Sequence, residues 1–421
     1  MNKLFHLFPK RYLLLFCCSI WFNFMAQAQN NTSSPYSMYG LGELRYQNNP
    51  HNSAMGNAGI GMPSSNFLNT LNPASYNSLD STTFIFELGA DAKISSFETK
   101  KKTASSNDAN FSYMALGWRV NRWLATGLGL NLFSTTGYEI NSTSYIEGIQ
   151  QQYPLNIIGT GDLSRAYFSA SVSPLKKLSL GVKASFLFGN QAQTQFHDLS
   201  LLGSSSIYNE TTDYFNNFYW EFGAQYQFQF DASKLTVGAI YNPRQVLNSR
   251  RVNTTYNSAG VTLQYEEESE GDFVIPEEFG LGFSWQKGDH LLLAMDAGMQ
   301  MWSNESYDIS GVDLKNNPYL HGGIDYLPST NIRDSYLKRI NYRLGMQYSK
   351  SYLNLREIQL DEAAVSFGFG LPIRNEKSRI DMSFELGRTG TKSKNLIQEN
   401  YIRFRLGFSL KDKWFTHPKY N

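Results

Sequence analysis

The sequence predicts an all-β protein, a transmembrane antiparallel β-barrel of about 14 strands with an N-terminal plug (hatch) segment in its lumen. Three observations lead to this fold class. The chain opens with an apolar stretch typical of an export signal, and from residue 82 onward segments of roughly ten residues alternate between apolar and polar side chains. The connections between these segments alternate between short and long, as in bacterial outer-membrane barrels.

Residues 1–28 form the expected signal peptide. A short apolar stretch, 12–25, follows three basic residues and precedes Ala26-Gln27-Ala28, which fits a cleavage site. A membrane anchor is the alternative, but the stretch is shorter than the roughly 20 residues that a spanning helix needs. Cleavage before Cys18, as in a lipoprotein, is disfavoured by the bulky residues ahead of it. The mature chain is expected to begin at Gln29 and to reach the outer membrane.

The composition excludes several classes of function. Both cysteines, Cys17 and Cys18, lie in the expected signal, so the mature chain should have no disulfides and no cysteine-based zinc site. Residues 1–28 hold three of the 37 basic residues and none of the 36 acidic ones, which leaves 34 against 36 and a net charge of −2. Because such a chain has no cationic field, no nucleic-acid partner is expected.

The predicted barrel spans 82–410, and a short periplasmic tail follows at 411–421. In the last segment, apolar residues from Ile402 to Leu410 occupy every second position, with Arg, Gly or Ser between them. A soluble β-sandwich also alternates, but charge or glycine along the whole second face favours a polar lumen. Short turns are expected on the periplasmic side. Long polar connections are expected outside, near 94–109, 136–163, 191–214, 251–271 and 390–399.

Residues 29–81 show no sustained period and are rich in Asn, Ser, Gly and Pro. A disordered tail is one interpretation. The segment also holds apolar residues from Tyr36 to Leu71, more than a solvated tail usually has. We therefore expect it to fold as a plug inside or beneath the barrel, so that the barrel is not an open porin.

Two motifs in this segment carry a family resemblance. The stretch Ala54-Met55-Gly56-Asn57-Ala58-Gly59-Ile60-Gly61 is followed by Asn72-Pro73-Ala74, just before the first predicted strand. This order resembles the FadL-type outer-membrane transporters of long-chain fatty acids and aromatic hydrocarbons. A divergent branch of that family, found in one group of Gram-negative bacteria, also opens with a motif like Ser34-Pro35-Tyr36-Ser37-Met38-Tyr39-Gly40-Leu41-Gly42. Its members close like Glu399-Asn400-Tyr401 through Lys411-Asp412-Lys413-Trp414-Phe415.

The resemblance implies a function as well as a fold. It implies passive uptake of fatty acids or other small hydrophobic molecules, with lateral release into the membrane lipid. It also leaves open a non-transporting accessory barrel, a subunit of an outer-membrane protein assembly or protein-export complex. By resemblance, the hatch would include Gly56, Gly59, Asn72, Pro73 and Ala74.

Charges on the predicted lumenal faces suggest a network. Closure of the last strand against the first would bring two arginines near two acidic residues, with two further acidic residues on the preceding strand. A structural ion network is favoured over a path for charged solutes. The residues are Glu87, Asp91, Asp381, Glu385, Arg403 and Arg405.

One long connection holds a conspicuous apolar cluster. It is interpreted as a ligand-capture site, a partner surface or loop-on-loop packing. Its members are Tyr145, Ile149, Tyr153, Leu155 and Ile157.

No enzyme signature is present. The six histidines are scattered without metal-ligand spacing, and there is neither a G-x-S-x-G elbow nor a phosphate-binding Gly-rich loop. We expect no catalytic residue, no metal and no cofactor.

Overall fold

The computed structural model describes residues 34–45, 49–63, 65–146, 149–268, 273–305, 312–373 and 378–413. The expected signal peptide, and residues 414–421 of the expected tail, lie outside the described residues. Within those ranges, no helix is long and apolar enough to cross a membrane.

Strands make up most of the described chain. They are β1 (Glu43–Leu44), β2 (Thr83–Glu98), β3 (Thr103–Arg119), β4 (Leu124–Ile146), β5 (Ile149–Leu175), β6 (Leu178–His197), β7 (Ile207–Gln229), β8 (Ser233–Asn242), β9 (Gln245–Leu247), β10 (Ser249–Asn257), β11 (Thr262–Glu268), β12 (Phe273–Ile275), β13 (Glu278–Lys287), β14 (Leu291–Gln300), β15 (Val312–Leu314), β16 (Asn317–Tyr326), β17 (Asn341–Leu355), β18 (Ile358–Ile373), β19 (Ser378–Gly390) and β20 (Gln398–Lys413). The helices are α1 (Pro50–Ala54) and short 3-10 helices at Pro35–Met38, Pro73–Ser78, Ser200–Leu202, Trp302–Asn304, Tyr336–Arg339 and Ser393–Asn395.

Fourteen of the described strands close into one antiparallel barrel, namely β2 to β8, β13, β14 and β16 to β20. The last strand pairs with the first, so that Leu88 lies opposite Phe408 and Asp91 opposite Arg405. The predicted fold class, a transmembrane barrel of about 14 strands, is confirmed. The last strand runs to Lys413, so the first three residues of the expected tail extend it.

Alternation along each strand separates a lipid-facing side from a lumenal side. In β2, for example, Leu88 is exposed outward and Glu87 is buried toward the lumen. Outward rings stack across neighbouring strands, and the centroids of Phe367, Phe384 and Phe404 lie 5.0 and 4.9 Å apart. This ring row forms part of the apolar band that meets the bilayer.

The long connections expected near 94–109, 136–163, 191–214 and 251–271 are largely strand. β4 to β7 run for 23, 27, 20 and 23 residues, and β10 and β11 continue the sheet beside the upper part of β7. Above the apolar band both faces of a strand meet water. Polar residues then occupy both faces, so the alternation fades while backbone pairing continues. The expectation of loops is corrected to a sheet that projects outside.

The barrel wall is interrupted between β3 and β4. Their backbone ladder ends at Tyr113 opposite Asn131, although both strands continue outward. Above that point β4 has a bulge at Phe133, and its free edge pairs with β1, with Leu44 opposite Ser134. We call this interruption the β3–β4 gap.

A second interruption lies beside β7. The ladder between β7 and β8 ends at Phe222 opposite Tyr241, and pairing resumes with β10 at Phe215. The chain between β8 and β10 leaves the wall to form β9, which pairs with β12. We call the unpaired stretch, 216–221 facing 242–248, the β7 seam.

The N-terminal segment fills the lumen. α1 is wholly buried and packs against β17 to β20, and the 3-10 helix Pro73–Ser78 packs against β3 to β7. The side chains of Asn49 and Asn72 cap these two short helices. The plug of the predicted fold class therefore lies inside the barrel.

Candidate functional site

The glycines of the expected hatch approach the wall closely. Gly56 has a φ of +64°, and a Cβ there would lie 2.2 Å from the carbonyl oxygen of Met346. The N–H groups of Gly59 and Ile60 both donate to Oδ2 of Asp296, at 2.6 and 2.8 Å. At Gly56, a side chain is excluded both by the positive φ and by the short distance to Met346.

The Asn-Pro-Ala motif lies against another part of the wall. Asn72 Oδ1 accepts a hydrogen bond of 3.0 Å from the N–H of Ala74. A Cβ at Gly223 on β7 would lie 2.0 Å from Asn72 Oδ1 and 2.8 Å from Pro73 Cδ. All five expected hatch residues therefore lie in the plug, but they contact two sides of the lumen instead of forming one cluster.

The expected charge network is divided into separate groups. Arg403 and Arg405 both pair with Glu385, at 3.5 and 2.7 Å. Asp381 pairs instead with Arg343 on β17, at 2.5 Å. These charges are buried, and each is balanced by a near neighbour.

Like Asp381, two further acidic members of the expected network have partners other than the arginines of β20. Asp91 Oδ2 lies 3.1 Å from Nη1 of Arg45, a residue of the plug. Glu87 accepts a hydrogen bond of 2.9 Å from the N–H of Leu68 and one of 3.4 Å from the hydroxyl of Tyr113. The expected single network is corrected here, because the plug supplies closer partners than strand closure does.

Arg45 spans the β3–β4 gap. Its N–H donates to the carbonyl of Phe133 on β4, at 2.8 Å. Its guanidinium donates to Asp91 on β2 and to Asp108 on β3, at 3.1 and 3.0 Å. The plug thus connects the two rims of the gap where the ladder between the strands is missing.

Glu43 provides the second ionic anchor of the plug. It pairs with Lys93 at 3.0 Å and with Arg403 at 2.9 Å. Burial alone would raise the pKa of Glu43, but Lys93, Arg45 and Arg403 outweigh it and hold that pKa at about 2. Sequence reasoning missed Glu43 and Arg45, which lie in a segment without periodicity. Lys93 lies two residues after Asp91 on the same strand, so the alternation of the sequence could have placed it in the lumen as well.

An apolar cluster fills the outer half of the lumen above the plug. We call it the apolar cap. Trp302 stacks on Tyr352 with ring centroids 4.2 Å apart, and the plug contributes partly buried aromatic rings. Its buried members are Leu41, Leu163, Leu187, Phe215, Tyr219, Leu247, Trp302, Tyr352, Leu353, Leu355, Leu360 and Leu396.

A cavity of about 130 Å³ lies between the plug and the wall from β4 to β14. We call it the inner pocket. Most of its apolar lining comes from Leu41, Leu44, Leu71, Phe133, Ile240, Ile275, Pro276 and Trp302. A cavity of about 150 Å³ in another protein holds one benzene molecule, so the inner pocket has the size of a single ring.

One end of the inner pocket is charged. Glu221 pairs with Arg165 at 3.1 Å and with Lys183 at 3.0 Å, and Arg165 also donates to the hydroxyl of Tyr219. These residues occupy lumenal positions on three successive strands, β5 to β7. A mostly apolar cavity with a few polar groups at one end is typical of a site for a small hydrophobic ligand.

A second cavity, of about 430 Å³, opens at the periplasmic end. His51 of α1 is buried in its lining, stacked on Phe67 with centroids 3.8 Å apart. Nε2 of His51 lies 3.6 Å from Asp325. Burial lowers the pKa of His51 well below its usual value, so this side of the plug carries a neutral imidazole.

The residues of the expected apolar loop cluster lie on two strands, β4 and β5, and Tyr145 is separated from Tyr153, Leu155 and Ile157. Tyr145 lies on β4, exposed and bonded to Gln152, whereas Tyr153 is buried on the opposite face of β5. Leu155 and Ile157 share the face of Tyr153, and Ile149 begins β5. The region is a strand hairpin, in which alternate residues face opposite ways. Among the described residues, no group of three His, Cys, Asp or Glu side chains is arranged to hold a metal ion.

Comparison with known proteins gives one family and several similar structures. The protein-family model described as BamG matches residues 9–421. A comparison with curated proteins finds no match.

Several solved structures are similar to this chain. The toluene transporter TodX of P. putida has a TM-score of 0.60 at 15% identity, over 87% of this chain and 98% of its own. A Pseudomonas aeruginosa FadL homologue has a TM-score of 0.58 at 13% identity, over 88% and 99%. The Ralstonia pickettii toluene transporter TbuX has a TM-score of 0.53 at 15% identity, over 88% and 98%. The expected resemblance to FadL-type proteins is confirmed at the level of fold, and two of these three proteins are described as toluene transporters.

Proposed function

The chain belongs to the BamG family, and on that premise we propose that it is an outer-membrane channel that takes up small hydrophobic molecules and releases them laterally into the membrane. The observation that carries the proposal is the inner pocket. An apolar cavity enclosed by a plug, in a wall with two interruptions, has the parts that such a path needs. We propose residues 29–81 as the plug, 82–410 as the barrel and 411–421 as a periplasmic tail.

The size of the inner pocket bears on the ligand. At about 130 Å³ it suits a single aromatic ring or a short acyl segment. A long-chain fatty acid would have to displace residues of the apolar cap, such as Leu41 or Trp302. We therefore propose one-ring hydrocarbons ahead of long-chain fatty acids as ligands.

Uptake of labelled ligand tests the proposal. Cells that carry the gene are compared with cells that lack it, using radiolabelled toluene and radiolabelled oleate. Faster uptake of toluene in cells with the gene is the expected result. Equal uptake of both compounds with and without the gene would refute the proposal.

A matched pair of variants ties uptake to the inner pocket. Ile275→Trp places a large ring in the pocket and is expected to reduce toluene uptake at least tenfold. Val261→Trp makes a similar change at an exposed side chain in the turn between β10 and β11, away from the inner pocket and from both wall interruptions. Uptake by the Val261 variant should match that of the unaltered protein.

A second candidate function is that of an accessory barrel subunit of an outer-membrane protein assembly or export complex. The observation that favours it is the apolar cap, which fills the outer half of the lumen above the plug. Purification in mild detergent tests it. Recovery of the barrel alone, without stoichiometric partners, would count against this function.

A further inference from the structure

The two interruptions of the wall are closed by contacts of different strength. The β3–β4 gap is closed by the plug. Ser34 donates to the carbonyl of Gly137 at 3.1 Å, and Arg45 makes two buried ion pairs across the rims. Opening this gap would break charge-assisted hydrogen bonds, which are roughly twice as strong as neutral ones.

The β7 seam is closed by two neutral amide side chains. Oε1 of Gln245 accepts from the N–H of Trp220 at 2.8 Å, and its Nε2 donates to the carbonyl of Trp220 at 3.4 Å. Nδ2 of Asn217 donates to the carbonyl of Asn248 at 2.8 Å, and its Oδ1 accepts from the N–H of Asn248 at 2.7 Å. These amides imitate backbone pairing and satisfy groups that lipid cannot satisfy.

The inner pocket lies directly behind the β7 seam. Tyr219 and Glu221, which line the pocket, belong to the unpaired stretch of β7. Asn242, where β8 leaves the wall, lines the pocket from the other rim. The inner pocket is therefore lined by residues from both rims of the seam.

An apolar groove of about 420 Å³ lies on the lipid-facing side just below the seam. We call it the outer dent. Its floor is the pair Ala224 and Ala239, which face each other across β7 and β8. Its walls are Phe222, Tyr241, Phe279 and Leu281.

The lipid-facing rim of the seam is also apolar. Phe218 and Trp220 have 71% and 48% of their surface exposed there. Ile240 lines both the inner pocket and the outer dent. Small side chains between aromatic ones leave room for a hydrophobic molecule at a depth where only acyl chains surround it.

We propose that the β7 seam is the lateral exit of the inner pocket, and that the outer dent receives the released molecule. This proposal rests on the proposed uptake function. The seam opens from its lower end, where the ladder pair Phe222 and Tyr241 separates. The β3–β4 gap stays closed, held by the N-terminal segment.

Disulfide staples at the lower end of each interruption test this exit. Ladder partners have Cα atoms about 4.5–5.5 Å apart, within reach of a disulfide. The seam staple is Phe222→Cys with Tyr241→Cys, and the gap staple is Met114→Cys with Leu130→Cys. A third pair, Tyr226→Cys with Val237→Cys, joins β7 to β8 below the outer dent and serves as control.

Toluene uptake is measured for each variant after oxidation and again after reduction with dithiothreitol. Oxidation of the seam staple should slow uptake at least fivefold, and reduction should restore it. Oxidation of the gap staple or of the control pair should leave the rate unchanged. Restored uptake in the reduced state shows that a variant is folded.

A loosening variant gives an independent readout. Gln245→Ala removes the two bonds to Trp220 and should raise the rate of toluene uptake about threefold. The exit assignment is overturned if the oxidised seam staple takes up toluene at the rate of its reduced form, or if the gap staple blocks uptake instead. If the unaltered protein takes up no toluene, the proposed uptake function itself fails, which is a separate result.

Discussion

Arg45 Nη2 lies 3.0 Å from Asp108 Oδ2, and this ion pair joins the plug to a barrel strand that has lost its neighbour. The same guanidinium reaches Asp91, and all three side chains are nearly fully buried. A buried ion pair contributes little over an apolar pair, but the loss of one partner leaves an unpaired charge. Arg45 therefore fixes the position of the plug against the wall, and the loss of its side chain would destabilise the folded protein.

Arg45→Met should destabilise the folded barrel by about 3–5 kcal/mol, because two buried carboxylates lose their partner. The matched control is Arg250→Met. Arg250 pairs with Glu267 on the exposed outer sheet, where an ion pair contributes about 1 kcal/mol or less. Unfolding free energies from urea titration in detergent measure both. Equal losses for the two variants would show that Arg45 is not an anchor.

Gly56→Ala should destabilise the protein by more than about 3 kcal/mol, at the upper end for single substitutions. Two effects add, since the backbone has a φ of +64° and the new Cβ would lie 2.2 Å from the carbonyl of Met346. Gly203→Ala measures the effect of the backbone conformation alone. Gly203 has a φ of +72° with no atom within 4 Å of its Cβ, so it should lose only about 1–2 kcal/mol. The same urea titration applies, and similar losses at both sites would mean that the plug moves away from β17 at little cost.

The pH dependence of stability should reveal Glu43. Its pKa is about 2 in the folded protein, below the ordinary value of 4.5, because Lys93, Arg45 and Arg403 outweigh the effect of burial. A lowered folded-state pKa means that the stabilisation is complete above pH 4.5 and is lost as the pH falls toward 2. The loss should be on the order of 3 kcal/mol. Unfolding measured at pH 7 and pH 3 should show a smaller difference in Glu43→Gln than in the unaltered protein.

The sequence predicts the barrel better than it predicts the contents of the barrel. Alternation reports which face of a strand meets lipid, so it places Glu87, Asp91 and Arg405 correctly in the lumen. It cannot report which lumenal charges meet, because that depends on the path of the plug. Arg45 takes Asp91 as its partner, and no periodicity in residues 29–81 indicates that choice.

The outer sheet and the wall interruptions show a second limit. Where β4 to β7 leave the membrane, polar residues occur on both faces and the period-two signal weakens, so strands look like loops. The β7 seam depends on Gln245, whose amide replaces a backbone partner of Trp220. A glutamine in a polar stretch gives no sign of that role. That role follows only from the position of Gln245 opposite Trp220 in the folded protein.

Asp296→Ala should loosen the plug without disturbing the barrel. Asp296 Oδ2 accepts from the N–H groups of Gly59 and Ile60, at 2.6 and 2.8 Å, and both donors are buried. Each buried donor left without an acceptor destabilises the plugged state by about 1–3 kcal/mol. The plug should then move away from the wall more often, so current steps in planar bilayers should be more frequent than for the unaltered protein. Asp289→Ala, at the exposed turn between β13 and β14, removes an equal charge and should not change the step frequency. Equal frequencies in all three proteins would mean that Asp296 does not hold the plug, and that its anchoring rests on the ion pairs of Glu43 and Arg45.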